Sequence, residues 1–107
     1  MNDNPIITAI ITTFKRPKLL QRAIQSVLNQ TYPHFKICVY DDASGDETRE
    51  IVAERSKRDS RIFYYCNKQN LGMVGNTCQA WATVDTPYFS NLADDDIFIP
   101  NHFENAI

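Results

Sequence analysis

A chain of 107 residues with 43% hydrophobic and 22% charged side chains has a globular composition, so one compact domain is expected and not a disordered tail. The net charge is −2 and no Lys or Arg follows Lys68, which argues against the clustered basic footprint of a nucleic-acid binder. The longest unbroken apolar run, residues 62–66, is far short of the ~18 needed to span a bilayer, and Met1 to Pro5 lack the basic start and apolar stretch of a signal peptide, so a cytoplasmic location is expected.

In chain order, residues 6–12 are β-branched and nearly continuously apolar, the pattern of a strand buried on both faces. Pro17 suits a first helical turn, and Leu20, Ala23, Ile24, Val27 and Leu28 recur at spacings of three and four, predicting an amphipathic helix to about Asn29. Residues 35–40 predict a second strand ending on Asp41 and Asp42. Ser44, Gly45, Asp46 and Glu47 read as a capping box for a helix carrying Ile51, Val52 and Ala53, with Arg55, Lys57 and Arg58 at its C-terminal end. Residues 62–66 predict a third strand, and Asn70, Leu71 and Gly72 a turn with Gly72 left-handed. A third helix over residues 74–83 and a fourth strand over residues 88–93 follow. Pro100, Asn101, His102 and Phe103 open a further helix that is cut at Ile107, so a fragment of something longer is expected, with self-association through apolar Phe103 and Ile107. Cys38, Cys66 and Cys78 are odd in number and share no C-x-x-C spacing, which points to buried thiols and away from a disulfide scaffold or zinc site.

Strands alternating with helices of this length imply a mainly parallel, doubly wound α/β sheet with helices on both faces. Ligands of such sheets sit outside the carboxyl ends of the strands, where strand order reverses. Three unusual groups converge on that edge: Thr12, Thr13 and Phe14 after the first strand, Asp41 and Asp42 after the second, and Asp94, Asp95 and Asp96 after the fourth. Asp46 and Glu47 suit the positive end of a helix macrodipole. Three adjacent carboxylates repel one another unless a cation is present. Paired with Mg²⁺ or Mn²⁺, an acidic loop can bind an anionic diphosphate.

Residues 10–16 (IITTFKR), 26–32 (SVLNQTY), 39–48 (VYDDASGDET), 70–72 (NLG) and 94–96 (DDD) together resemble the N-terminal half of family 2 glycosyltransferases of the GT-A fold. The resemblance covers nearly the whole chain, residues 1–107, with the motifs in order. It implies a Rossmann-like nucleotide-diphospho-sugar-binding sheet, truncated at its C-terminus, and inverting transfer of a sugar from a nucleotide diphosphate sugar, commonly a UDP-sugar, to a glycan or lipid-linked acceptor in polysaccharide biosynthesis. By position it implies that Thr12, Thr13 and Phe14 line the nucleoside pocket, Asp42 contacts the uracil, Asp41 supports the pocket, Asp94 or Asp95 meets the ribose, and Asp96 binds the Mn²⁺ or Mg²⁺. Where the family often carries Ala-Arg-Asn after N-x-G, this chain has Asn76, Thr77 and Cys78, with no basic contact for the diphosphate. The family's general base and donor-closing loop fall beyond Ile107, so these residues are expected to bind donor and, alone, to transfer no sugar. Any membrane association would belong to the rest of the protein.

Two other readings fit an α/β sheet with acids at strand ends. A sugar-nucleotide nucleotidyltransferase is expected to carry a glycine-rich loop after the first strand, and residues 12–17 contain no Gly. A receiver-type signalling domain needs its acid pair after the first strand and a late Lys; here the pair follows the second strand and the last Lys is Lys68.

Overall fold

The computed structural model describes residues 5–94 and Phe103. The elements run β1 (Ile7–Thr13), α1 (Pro17–Leu28), β2 (Phe35–Asp41), α2 (Thr48–Arg58), β3 (Ile62–Cys66), α3 (Gly72–Ala82) and β4 (Tyr88–Ala93). The four strands and first three helices expected from the sequence are present, with ends displaced by at most two residues, the usual fraying of boundaries; the further helix expected from Pro100 lies, apart from Phe103, outside the described residues. Among the described residues the sheet has four strands in the order β3-β2-β1-β4, all pairs parallel. The chain steps outward from β1 to β3, then crosses back to lay β4 on the other side of β1. Strand order therefore reverses between β1 and β4.

The register sorts side chains between two layers. Ile7, Ala9 and Ile11 of β1, and Ile37 and Val39 of β2, share one core with Leu20, Ala23, Ile24 and Val27 of α1 and Val52 of α2. Ile10, Cys38 and Tyr40 face the other way, against Ala80 of α3. Helices thus cover both faces, as a run of strands with no polar alternation requires.

Three local expectations are corrected. The capping box does not form: the Ser44 hydroxyl donates to Asp41 Oδ1 at 2.6 Å and accepts the Lys15 N–H at 2.8 Å. Asp46 takes over at the start of α2, its Oδ1 accepting the N–H and hydroxyl of Thr48 at 3.0 and 2.5 Å, which also holds its carboxyl below the usual range. A cap oxygen needs only a nearby unpaired N–H, and Asp46 is closer. Phe103 is not left without a packing surface. It is buried in the α1–α2 layer, edge-on to Phe35 with ring centroids 5.5 Å apart, and its N–H donates to Gln30 Oε1 at 2.9 Å. Ile107, the other residue expected to promote self-association, lies outside the described residues. Cys38 is buried as expected, but Cys66 and Cys78 are exposed. Cys66 ends β3 and Cys78 lies on α3 away from the sheet. Among the described residues no helix is long and apolar enough to cross a membrane.

Candidate nucleotide site at the strand ends

A cleft of about 390 Å³ opens at the carboxyl ends of β1 and β4, where strand order reverses. Thr12, Thr13, Phe14 and Arg16 form one wall, Ala93 and Asp94 a second, and Asp42, Asn70, Gly72, Met73 and Asn76 a third. Its size and its few convergent polar groups are those of a small-molecule site. A larger groove of about 670 Å³ runs between α1 and α2, lined by side chains such as Glu50, Glu54, Arg55 and Arg58 and by none of the residues of β1 or β4.

Each wall has a local cause. Thr13 is the last residue of β1, and its buried hydroxyl donates to Asp94 Oδ2 at 2.8 Å. Arg16 Nη1 meets Asp94 Oδ1 at 3.4 Å, so both oxygens of this buried carboxylate are engaged and the ends of β1 and β4 are tied together. Phe14 is half exposed in the loop after β1, with the Lys15 ammonium 5.3 Å from its ring centroid. Lys15 and Ala43 hold left-handed backbones, φ 55° and 63°, a conformation that costs a residue with a Cβ about 1–2 kcal/mol. The two turns are stitched together by the Ser44 hydroxyl on the Lys15 N–H.

Asp41 and Asp42 are both buried and do different things. Asp41 is not a wall of the cleft. Its Oδ1 accepts the N–H and hydroxyl of Ser44, and its Oδ2 accepts the Tyr64 hydroxyl at 2.5 Å, which binds the β2 turn to β3. Burial, then the hydrogen bond to Asp41, pushes the Tyr64 phenol far above its ordinary value. Asp42 does face the cleft. Its Oδ1 accepts the Leu71 N–H at 2.7 Å and the Asn67 amide at 2.8 Å, and Leu71 is the N-cap of α3, where a negative charge is favoured by the helix dipole. Among the described residues no donor reaches Asp42 Oδ2, so of the two carboxylate oxygens it is the one left without an internal partner in a residue that lines the cleft.

Of the residues singled out from sequence, Thr12, Thr13, Phe14, Asp42 and Asp94 meet at this cleft, and Asp41 braces it from behind. Asp95 and Asp96 lie outside the described residues. Sequence reasoning passed over Arg16, Asn70, Met73 and Asn76 as walls. Arg16 and Asn70 stood within the motif runs; Asn76 stood out only as a departure from the family's Ala-Arg-Asn, and Met73 sits in a Gly-x-x-Gly spacing that resembles a backbone clamp by composition alone. Gly72, expected only as a turn residue, has the anticipated left-handed φ of 81° and lines the cleft as well. Among the described residues no three His, Cys, Asp or Glu side chains are grouped to hold a metal ion. The described donors therefore do not make a metal centre by themselves.

The sequence model for Glycosyl transferase family 2 matches residues 8–107. The chain is 33% identical over 105 residues, 98% of its length and 41% of the relative's, to an Escherichia coli protein named UDP-Glc:alpha-D-GlcNAc-diphosphoundecaprenol beta-1,3-glucosyltransferase WfgD. Its fold superposes on residues 1–349 of TarS from S. aureus, solved in complex with UDP, with a TM-score of 0.79 at 21% identity, covering 94% of this chain and 30% of that one. It also superposes on the Pyrobaculum calidifontis mannosyltransferase PcManGT, solved with GDP-Man and Mn²⁺, with a TM-score of 0.79 at 18% identity, covering 89% of this chain and 29% of that one. The chain belongs to glycosyltransferase family 2, and its sheet is the GT-A sheet of these structures. It spans about a third of the length of the curated relatives it matches.

Proposed function

We propose that residues 1–107 are the donor-binding part of an inverting glycosyltransferase that takes a sugar from a UDP-sugar and builds a glycan on a lipid-linked or saccharide acceptor. The observation that carries this reading is Asp42 Oδ2, without an internal donor among the described residues, in a cleft walled also by Thr12, Thr13, Phe14, Asn70 and Asn76, with Arg16 and Asp94 paired to one another. A carboxylate oxygen there accepts the ring N–H of uracil, and Phe14 offers a face for the base. The E. coli relative is named for a UDP-glucose donor and a diphosphoundecaprenol acceptor, and TarS was solved with UDP; both support the donor class.

Within this reading Thr13 and Arg16 fix the Asp94 carboxylate at the cleft mouth, where ribose hydroxyls would donate to it, with Asp95 as its neighbour. Asp96 is proposed to hold Mn²⁺ or Mg²⁺, a reading supported by the acidic run itself and by the Mn²⁺ of the mannosyltransferase complex. Such a cation, when bound, neutralises charge on the diphosphate. The group that deprotonates the acceptor hydroxyl is proposed to lie outside these residues, so the segment binds donor without transferring it.

Titration calorimetry of UDP into the chain, with Mn²⁺ and again with EDTA, tests the donor and metal roles together. Binding is expected with Mn²⁺, weaker than about micromolar, and lost in EDTA, because unscreened carboxylates repel a diphosphate by about 1 kcal/mol or more per charge pair. Equal binding in both would sink the metal role of Asp96, and no binding in either would sink the donor reading.

A further inference from the structure

From the cleft wall at Asn76 a cluster of amides runs back to Asn67 and Gln79, which the donor reading does not use. Asn67 follows β3 and does not line the cleft. Its Nδ2 donates to Asp42 Oδ1 at 2.8 Å and to Asn76 Oδ1 at 3.0 Å, while its Oδ1 accepts from Gln79 Nε2. Asn76 is buried, and its Nδ2 is spent on the Tyr40 carbonyl at 3.0 Å, which fixes its oxygen as the acceptor facing Asn67 and Gln79. Each amide in the chain thereby has its orientation set by the next. At the end of it, the Asn67 amide and the Leu71 N–H converge on the same oxygen of Asp42.

We propose that Asn67, held by Asn76 and Gln79, is a positioning residue that sets base specificity: it occupies Asp42 Oδ1 so that one carboxylate oxygen alone meets the base. The inference rests on the donor reading above. A free carboxylate accepts two parallel N–H bonds, and the edge of guanine, with a ring N–H beside an exocyclic amine, supplies that pair. Uracil supplies a single ring N–H flanked by carbonyl oxygens. With Oδ1 already filled by two internal donors, guanine's second donor has no acceptor and is left desolvated, whereas uracil brings only the one N–H that Oδ2 accepts. Cytosine presents a bare ring nitrogen in the same place and faces the carboxylate acceptor to acceptor. The anchoring therefore converts a generic acid into a reader of one N–H.

The same anchoring predicts what an amide would do in place of the acid. In Asp42→Asn the side-chain oxygen stays where the Asn67 amide and Leu71 N–H converge, so its NH₂ must turn to the cleft. That NH₂ opposes the uracil N–H and matches the cytosine nitrogen.

The test is titration of UDP, GDP and CDP, each with Mn²⁺, into the wild-type chain and into Asn67→Ala, Gln79→Leu and Asp42→Asn, with circular dichroism melts to check folding. The wild type is expected to prefer UDP over both others by about tenfold or more. Asn67→Ala should shrink the UDP to GDP ratio about fivefold or more, since Oδ1 then keeps only the Leu71 N–H and has a lone pair to offer beside Oδ2. Gln79→Leu, which removes only the brace on Asn67 at a half-buried position, should shift the ratio the same way by less, and it carries the test if Asn67→Ala does not fold. Asp42→Asn should reverse the order of UDP and CDP. If the wild type prefers UDP but folded Asn67→Ala and Gln79→Leu weaken all three nucleotides alike, or Asp42→Asn weakens UDP and CDP without changing their order, the positioning role is overturned and the donor reading stands. If the wild type binds none of the three, both fall together.

Discussion

The two layers on either side of the sheet are built to different standards. The α1–α2 layer is a dry core: Leu20, Ala23, Ile24, Val27, Ile37, Val39 and Val52 have no solvent exposure at all. The α3 layer buries Ile10, Cys38, Tyr40 and Ala80, yet leaves Phe63, Tyr65, Trp81 and Phe89 each more than 40% exposed. The cleft belongs to the second layer, since Gly72, Met73 and Asn76 of α3 form one of its walls. Burial of apolar surface is what stabilises the fold, so the α1–α2 layer holds the chain together, while the α3 layer buries less and carries the polar wall of the cleft.

The sharpest test of that division is a matched pair of truncations. Ile24→Ala, in the fully buried α1 seam, should lower unfolding stability by about 2–5 kcal/mol, the range for removing a core aliphatic and leaving a cavity. Phe63→Ala removes more atoms but from a ring 42% exposed and covered on one side by Lys36, so its cost should be clearly smaller despite the larger deletion. Urea unfolding of both variants checks this, and equal losses would break the distinction between the layers.

At the strand ends, where the layers meet, stability depends on hydrogen bonds and not on area. Tyr64→Phe strips one partner from the buried Asp41 carboxylate, which keeps only Ser44. A charge-assisted bond of this kind contributes about 1.5–3 kcal/mol. The variant should therefore destabilise by roughly that range and weaken UDP only indirectly, because Asp41 braces the turn that carries Asp42 without reaching the cleft. A stable Tyr64→Phe variant with lost UDP binding would instead put Asp41 in contact with the ligand.

How far the sequence discloses each layer follows from the same physics. The α1–α2 layer was legible because burial is written as period: Leu20, Ala23, Ile24 and Val27 repeat at helical spacing, and β1 is apolar at every core position. The placing of Asp42 and Asp94 was legible because strand ends in a parallel sheet define one edge. Asn67, Asn76 and Gln79 were not, since each acts on another side chain brought near only by the fold, and an Asn in a loop or a helix has no period to betray it. Ser44 was misread for a related reason. Its hydroxyl sits at the right spacing for a cap, but the left-handed turn at Ala43 brings it to Asp41 instead.

That left-handed turn offers a smaller adjustment. Ala43 has φ of 63°, and Gly takes this conformation without the clash of a Cβ, so relief of about 1–2 kcal/mol is partly offset by about 0.4–1 kcal/mol of added freedom in the unfolded chain. Ala43→Gly should raise stability by up to about 1 kcal/mol in thermal melts, with UDP binding unchanged. If the variant is instead less stable, the turn is held by contacts of the Ala43 methyl that outweigh its backbone strain.

The finest comparison uses the thiols as reporters of the thinner layer. Cys66 and Cys78 are exposed, whereas Cys38 lies beneath the α3 layer at 5% exposure, its thiol pushed upward by burial against a small lowering from Lys36. Because the thiolate is the reactive form, a raised thiol has less of it at any given pH and is doubly protected, by access and by ionisation. A disulfide-exchange reagent near pH 8 should therefore label two thiols fast and the third slowly. The route to Cys38 is short: a groove of about 170 Å³ lined by Lys36, Tyr40, Tyr65, Thr83 and Asp85 already reaches it, with the Lys36–Asp85 ion pair at 2.7 Å in its wall. Local opening of α3 should expose Cys38 at a free energy below that of global unfolding, so its labelling rate should depend on urea more weakly than the unfolding equilibrium does. Lys36→Ala should speed that labelling by opening the groove, even though loss of the cation alone removes a stabilising charge for the thiolate. A Cys38 rate that tracks global unfolding with the same urea dependence would show that the α3 layer is as firmly held as the α1–α2 core, and the contrast between the two faces would then be one of exposure only and not of stability.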